Sequence, residues 1–206
     1  MQANPSLPEI SRLSKLIIFD IDGTLTVPHT TQLLPGRREF FLALATEHKQ
    51  GKTPSIALAT NQGGVGFRYW LESTPPAWFT EKSKAEQAAQ LAIYPTQAEA
   101  ETRLSEVAAA ITTAFNIWWP ATYISFAWQF KSGSWADIPP GAEEDIHWSR
   151  EWRKPNPGML EQAILDTSIL PRQALMIGDK ITDIRAGRLA GCATAWSKDF
   201  FEEVSE

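Results

Sequence analysis

The stretch Leu16-Ile17-Ile18-Phe19-Asp20-Ile21-Asp22-Gly23-Thr24-Leu25 decides the fold. Four apolar residues run straight into two carboxylates, followed by a glycine and a threonine. A short continuous apolar run reads as a strand buried on both faces, which is the pattern of a parallel sheet. Gly23 permits a sharp exit from that strand. Asp20 therefore sits at the strand's carboxyl end and Asp22 just past it. In open parallel sheets, ligands bind at that edge. Two carboxylates this close repel each other and are costly to desolvate. A divalent cation relieves the repulsion, and Mg²⁺ takes oxygen ligands. Turn chemistry alone also explains Asp22-Gly23, so the rest of the chain has to decide.

Outward from this strand, helices and short apolar strands alternate. Phe40, Phe41, Leu44 and Ala45 share one face of a helix after Pro35-Gly36, with Gly51 as its stop. Residues 55–59 form a second buried strand ending at Thr60. Thr96 and Glu99 match a capping box and open a helix to Phe115, with Leu104, Val107, Ala108 and Ile111 on its apolar face. Further strands are expected at 122–127, 174–178 and 192–196. Helices are expected from Pro157 to Leu165 and from Thr182 to Ala190. Residues 1–14 read as an irregular leader, and the acidic residues 202–206 as a fraying tail. The expected class is α/β: a three-layer, Rossmann-like parallel sheet of about five strands with helices on both faces. One domain over residues 1–206 is expected, with a small lid around 66–95 and an irregular Trp-rich loop around 128–153.

Composition narrows the function. The chain has 206 residues, 43% of them hydrophobic, enough for a real core. Its net charge of −5 leaves no electrostatic footprint for long nucleic acid. A single cysteine, Cys192, excludes a disulfide framework and a Cys-cluster zinc site. No apolar run reaches the ~18 residues of a membrane span, and the N-terminus lacks a signal-peptide pattern. A cytoplasmic protein is the expectation.

Three apolar strands exit into polar residues, at Asp20, Thr60 and Asp179, and all three exits face one crevice. Asp183 lies four residues after Asp179, within reach if a helix begins between them. Three or four carboxylates at one edge call for a cation, and hard oxygen ligands favour Mg²⁺. The remaining groups suit a phosphate. Thr60 offers a hydroxyl, the glycines after Gln62 offer backbone N–H groups in a nest, and Lys154 offers a point charge just before a helix. Separate bland roles exist for each: a solvated lysine, a first-turn aspartate, an N-cap threonine. Those roles leave the shared location unexplained.

With these motifs in order, the chain resembles the haloacid dehalogenase superfamily of phosphatases. Asp20-Ile21-Asp22-Gly23-Thr24 is similar to its first motif, Thr60 to its second, Lys154 to its third, and Gly178-Asp179 through Asp183 to its fourth. Thr60-Asn61-Gln62-Gly63-Gly64 and Arg153-Lys154-Pro155-Asn156-Pro157-Gly158-Met159 resemble the subgroup of histidinol-phosphate, heptose-bisphosphate and polynucleotide 3′-phosphatases. Residues 143–152 hold no cysteine, unlike the zinc loops of the sugar and histidinol enzymes, and the acidic balance differs from the polynucleotide enzymes. The resemblance implies a Mg²⁺-dependent phosphatase of a small phosphorylated metabolite. Asp20 is then the nucleophile and Asp22 the general acid and base. Thr60, Asn61 and Lys154 hold the phosphate. The metal is held by Asp20, the Asp22 main-chain carbonyl, Asp179 and Asp183. Arg68 and Arg153 are candidates for a second anionic group of the substrate. Two alternatives stand beside this reading: a 3′-phosphatase acting on nucleic-acid ends, and a non-catalytic protein that binds a phosphorylated ligand. Of the nine tryptophans, Trp128, Trp135, Trp148 and Trp152 precede Lys154. They read as core packing or a dimer interface ahead of substrate stacking.

Overall fold

The computed structural model describes residues 8–48, 54–117 and 120–202. In chain order the elements are α1 (Glu9–Leu13), β1 (Leu16–Phe19), α2 (Arg37–His48), β2 (Ser55–Asn61), α3 (Gly63–Ser73), α4 (Ala77–Thr80), α5 (Lys84–Leu91) and α6 (Gln97–Phe115). They continue with β3 (Ala121–Ser125), α7 (Gly158–Thr167), β4 (Ala174–Gly178), α8 (Ile181–Leu189), β5 (Ala193–Trp196) and α9 (Ser197–Glu202). The five strands form one sheet in the order β3-β2-β1-β4-β5, and every pairing is parallel.

The central strand β1 is buried on both faces because its residues alternate between two cores. Ile17 and Phe19 face a layer holding Phe40 and Phe41 of α2, Leu104, Val107 and Ile111 of α6, and Phe200 and Phe201 of α9. Leu16 and Ile18 face the other layer, with Met159 and Leu160 of α7 and Ala186 of α8. The sheet is thus covered on both sides, as its apolar strands require. Phe19 sits within 5.7–6.4 Å of four phenylalanine rings, two edge-on, one tilted and one stacked, and the edge-on pairs favour their quadrupoles.

The local grammar agrees with the sequence at several points. Thr96 accepts from the Glu99 N–H and the Glu99 side chain answers the Thr96 N–H, closing the expected capping box. Gly191 follows α8 at φ +76°, the left-handed stop that a glycine supplies. Other points differ. The supposed leader contains α1, held by the Ser11 hydroxyl donating to the Pro8 carbonyl and the Ser14 hydroxyl to that of Ile10. Gly51, the expected stop of α2, and residues 203–206 of the tail lie outside the described residues. Gly63 and Gly64 are not an open nest. They form the first turn of α3 after Gln62. A glycine at residue 66 is required for packing: a Cβ there would collide with the Phe126 carbonyl oxygen, where the chain leaves β3. The segment 66–95 therefore begins as core-packed helix, with Val65, Gly66 and Leu71 buried, and only then continues through α4 and α5. Among the described residues, no helix is long and apolar enough to cross a membrane.

Candidate active site

The sheet brings the predicted rim together. β1, β2 and β4 lie side by side, so their carboxyl ends deliver Asp20, Thr60 and Asp179 to one place. Asp20, Asp22, Thr60, Asn61, Lys154 and Asp183 all line a cavity of about 290 Å³. One carboxylate oxygen from each of Asp20, Asp179 and Asp183 lies within 4.8 Å of the others.

Lys154 is the buried hub. Its Nζ donates to Asp20 Oδ1 and to the Ala59 carbonyl, each at 2.7 Å, and lies 2.7 Å from Asp183 Oδ1. Three donors thus meet three oxygens, which is all an ammonium can offer. Burial alone would lower the Lys154 pKa, but Asp20 and Asp183 outweigh it and raise it. Asn61 fixes the backbone here: its Nδ2 donates to the Lys154 carbonyl at 2.8 Å, and the Lys154 N–H donates to its Oδ1 at 3.1 Å. Asn61 thus uses its carbonyl oxygen and one of its two amide hydrogens to seat the lysine.

Asp20 shows the opposite balance. Its Oδ2 is buried and has no hydrogen-bond partner among the described residues. Burial pushes its carboxyl up to about 6, although Lys154 pulls it down; Asp183 adds a smaller upward push. An unpartnered buried carboxylate oxygen is costly, and such a group calls for an ion or a functional role. The set of three carboxylates, all hard oxygen donors, together with that orphaned atom fits a divalent cation such as Mg²⁺. Asp179 is held loosely by the Thr24 hydroxyl at 3.3 Å, and Asp183 Oδ2 accepts the Lys180 N–H at 3.0 Å. Gly23, at φ +85°, leaves room for Asp179: a Cβ there would lie 2.5 Å from Asp179 Oδ2.

Asp22 is saturated. Arg103 of α6 grips it in a bidentate fork, Nη1 to Oδ1 at 2.8 Å and Nη2 to Oδ2 at 2.7 Å. The His29 N–H donates to Oδ1 and Gln62 Nε2 to Oδ2, both at 2.8 Å. Burial pushes this carboxyl up, but these donors prevail, led by Arg103, and hold it down at about 2. Gln62 Nε2 also donates to the Thr60 hydroxyl at 2.9 Å. Arg103, Gln62 and His29 were not on the list of sequence candidates. Arg103 borders the apolar stripe of α6, between buried Ala100 and Leu104, which is the one signal the sequence carried.

Neither of the two candidate substrate arginines lines the nucleophile's cavity. Arg68 donates to the carbonyls of Leu91 and Tyr94 and pairs with Glu72, tying α3 to the turn after α5. It lines a neighbouring cavity. Arg153 donates to the Ala127 carbonyl at 2.9 Å. Trp148 and Trp152 are buried in the cores, and Trp128 packs on Phe67.

Four motifs in fixed chain order, converging on one rim of a doubly wound sheet, are the pattern of the haloacid dehalogenase-like class, which this chain resembles. Residues 151–199, which carry the third and fourth motifs, match the family model described as HAD-hydrolase-like. Among curated proteins, a D-glycero-beta-D-manno-heptose-1,7-bisphosphate 7-phosphatase of Mesorhizobium japonicum is 45% identical over 47 residues, 23% of this chain and 22% of that protein. A D-glycero-D-manno-heptose-1,7-bisphosphate 7-phosphatase of Thermosynechococcus vestitus is 51% identical over 41 residues, 20% of this chain and 21% of that protein. The chain thus matches about a fifth of the length of these relatives. The solved D,D-heptose 1,7-bisphosphate phosphatase of B. bronchiseptica, complexed with magnesium and phosphate, shares the fold at a TM-score of 0.53 and 21% identity, over 87% of this chain and 78% of that one.

Proposed function

We propose that this chain is a Mg²⁺-dependent phosphatase that hydrolyses the phosphate monoester of a small phosphorylated metabolite through an aspartyl-phosphate on Asp20. One observation carries the reading: Asp20 lines the rim cavity and its Oδ2 is buried and unpartnered among the described residues, while Lys154 restrains the other oxygen. A carboxylate held by one oxygen and free at the other is arranged to attack. Asp20 Oδ2 bonds to phosphorus, and the leaving oxygen departs with a proton from Asp22. Water then attacks the acyl phosphate and gives its proton to Asp22, restoring the Asp20 carboxylate and releasing inorganic phosphate. The Thr60 hydroxyl and the first amides of α3 are the donors suited to the transferring oxygens, with Lys154 supplying positive charge beside them. Asp20, Asp179, Asp183 and the Asp22 main-chain carbonyl would hold the Mg²⁺, which when bound supplies charge neutralisation at the phosphoryl group.

The names of the curated relatives favour a phosphorylated sugar. The short cover formed by α4, α5 and the turn through Tyr94 and Pro95, which lines the cavity, is read as a small lid. The test is p-nitrophenyl phosphate hydrolysis with Mg²⁺, followed by a panel of sugar phosphates and 3′-phosphorylated oligonucleotides. Asp20→Asn should lower turnover by on the order of 10⁴-fold or more while the circular dichroism spectrum of the fold is retained. Near-wild-type turnover by that variant overturns the nucleophile, and a wild-type chain without phosphatase activity points to a non-catalytic phospho-ligand protein.

A further inference from the structure

Asp22 has no acceptor position left. A carboxylate offers about four in-plane lone pairs, and four donors fill them: two from Arg103, one from His29 and one from Gln62. A group so filled can neither carry a proton to a leaving oxygen nor take one from water until a donor departs. The His29 donor is main chain. Gln62 is buried, and its Nε2 also donates to the Thr60 hydroxyl. Arg103 is the donor able to leave. It is a long side chain with 18% of its surface exposed, and it lines a second cavity of about 560 Å³. That cavity shares His29, Gln62, Ile93, Tyr94 and Pro95 with the nucleophile's own, so it lies where a leaving group passing Asp22 would extend. Its other arginine, Arg68, is committed to backbone carbonyls, and Glu99 is committed to the capping of α6.

We propose that Arg103 is a substrate-operated latch. A second anionic group on the leaving-group side of the substrate, phosphate or carboxylate, enters the larger cavity and takes the guanidinium fork from Asp22, freeing the acid for proton transfer. The preferred substrate class is then a phosphate monoester that carries another anion. This rests on the phosphatase reading and adds to it a reason for selectivity: a planar fork matches either anion bidentately.

The experiment compares glucose 6-phosphate with 6-phosphogluconate and glucose 1,6-bisphosphate, in wild type, Arg103→Met and Arg103→Lys, with p-nitrophenyl phosphate as a one-anion reference. The wild type should favour the two-anion compounds in kcat/KM by roughly tenfold, the worth of one charge-assisted contact. Arg103→Met should abolish that ratio and raise kcat on p-nitrophenyl phosphate. Arg103→Lys, cationic but without the fork, should keep an intermediate ratio, and it decides the matter if Arg103→Met does not fold. Calorimetric titration of the Asp20→Asn protein, with and without Arg103→Met, reads the same preference without turnover. Binding selectivity there with no hydrolysis by the wild type would overturn the phosphatase and leave the anion subsite standing. An equal loss on one-anion and two-anion compounds in Arg103→Met, or an unchanged ratio, overturns the latch, because Arg103 then only orients Asp22 or only stabilises the fold.

Discussion

At the scale of single residues, the two aspartates of one motif are held in opposite electrostatic states. Asp20 is pushed up to about 6 from an ordinary 3.8 by burial that Lys154 does not fully offset. The folded state therefore binds this proton more tightly than the unfolded chain. The resulting stabilisation is present below about 3.8 and is lost as pH rises through about 6. In metal-free protein, the urea midpoint of the wild type should fall relative to Asp20→Asn between those limits; parallel curves would contradict the shift. Asp22, held at about 2, works the other way and only below that window. Lys154 answers two buried carboxylates at once. Lys154→Met should cost about 3–5 kcal/mol in urea unfolding, the usual cost of stranding a buried charge. The rim acids, Thr60 and Lys154 were legible because each ends or follows a recognisable run of apolar or turn residues. Arg103 was not: its meaning comes from a partner 81 positions away, and no local period encodes that.

At the scale of elements, capping and close approach decide where the side chains point. Strands were readable because the apolar runs are short and bounded, and β4 falls on the expected 174–178. The Gly63-Gly64 pair misleads because glycines signal a turn by default, whereas here the backbone continues directly into α3. The same helix depends on Gly66 lying against the Phe126 carbonyl. Gly66→Ala should destabilise by about 1–3 kcal/mol as an overpacked contact, measured as a lower urea midpoint. α6 carries Arg103 one turn beyond its first, so its N-terminal box supports the grip on Asp22 as well as the helix.

At the scale of the whole molecule, the two cores on either side of β1 make the rim rigid, while its acids remain mutually repulsive. A cation that binds only the folded rim must stabilise the whole fold by mass action. Mg²⁺ at about a hundred times its dissociation constant should add about 2.7 kcal/mol. The thermal midpoint should rise accordingly, return on chelation, and lose its response in Asp179→Asn.

The reciprocal bonds between Asn61 and Lys154 join two points 93 positions apart. They close residues 62–153 into a cassette sealed at its base, sitting on chemistry supplied by the strands beneath. Within that stretch α6 and β3 are fixed in the core and sheet, so it is the cover of α4, α5 and the turn through Tyr94 and Pro95 that can be rebuilt while Asp20 and Lys154 stay seated. Under the proposed function, what is hydrolysed can then change with that cover while the chemistry on Asp20 does not.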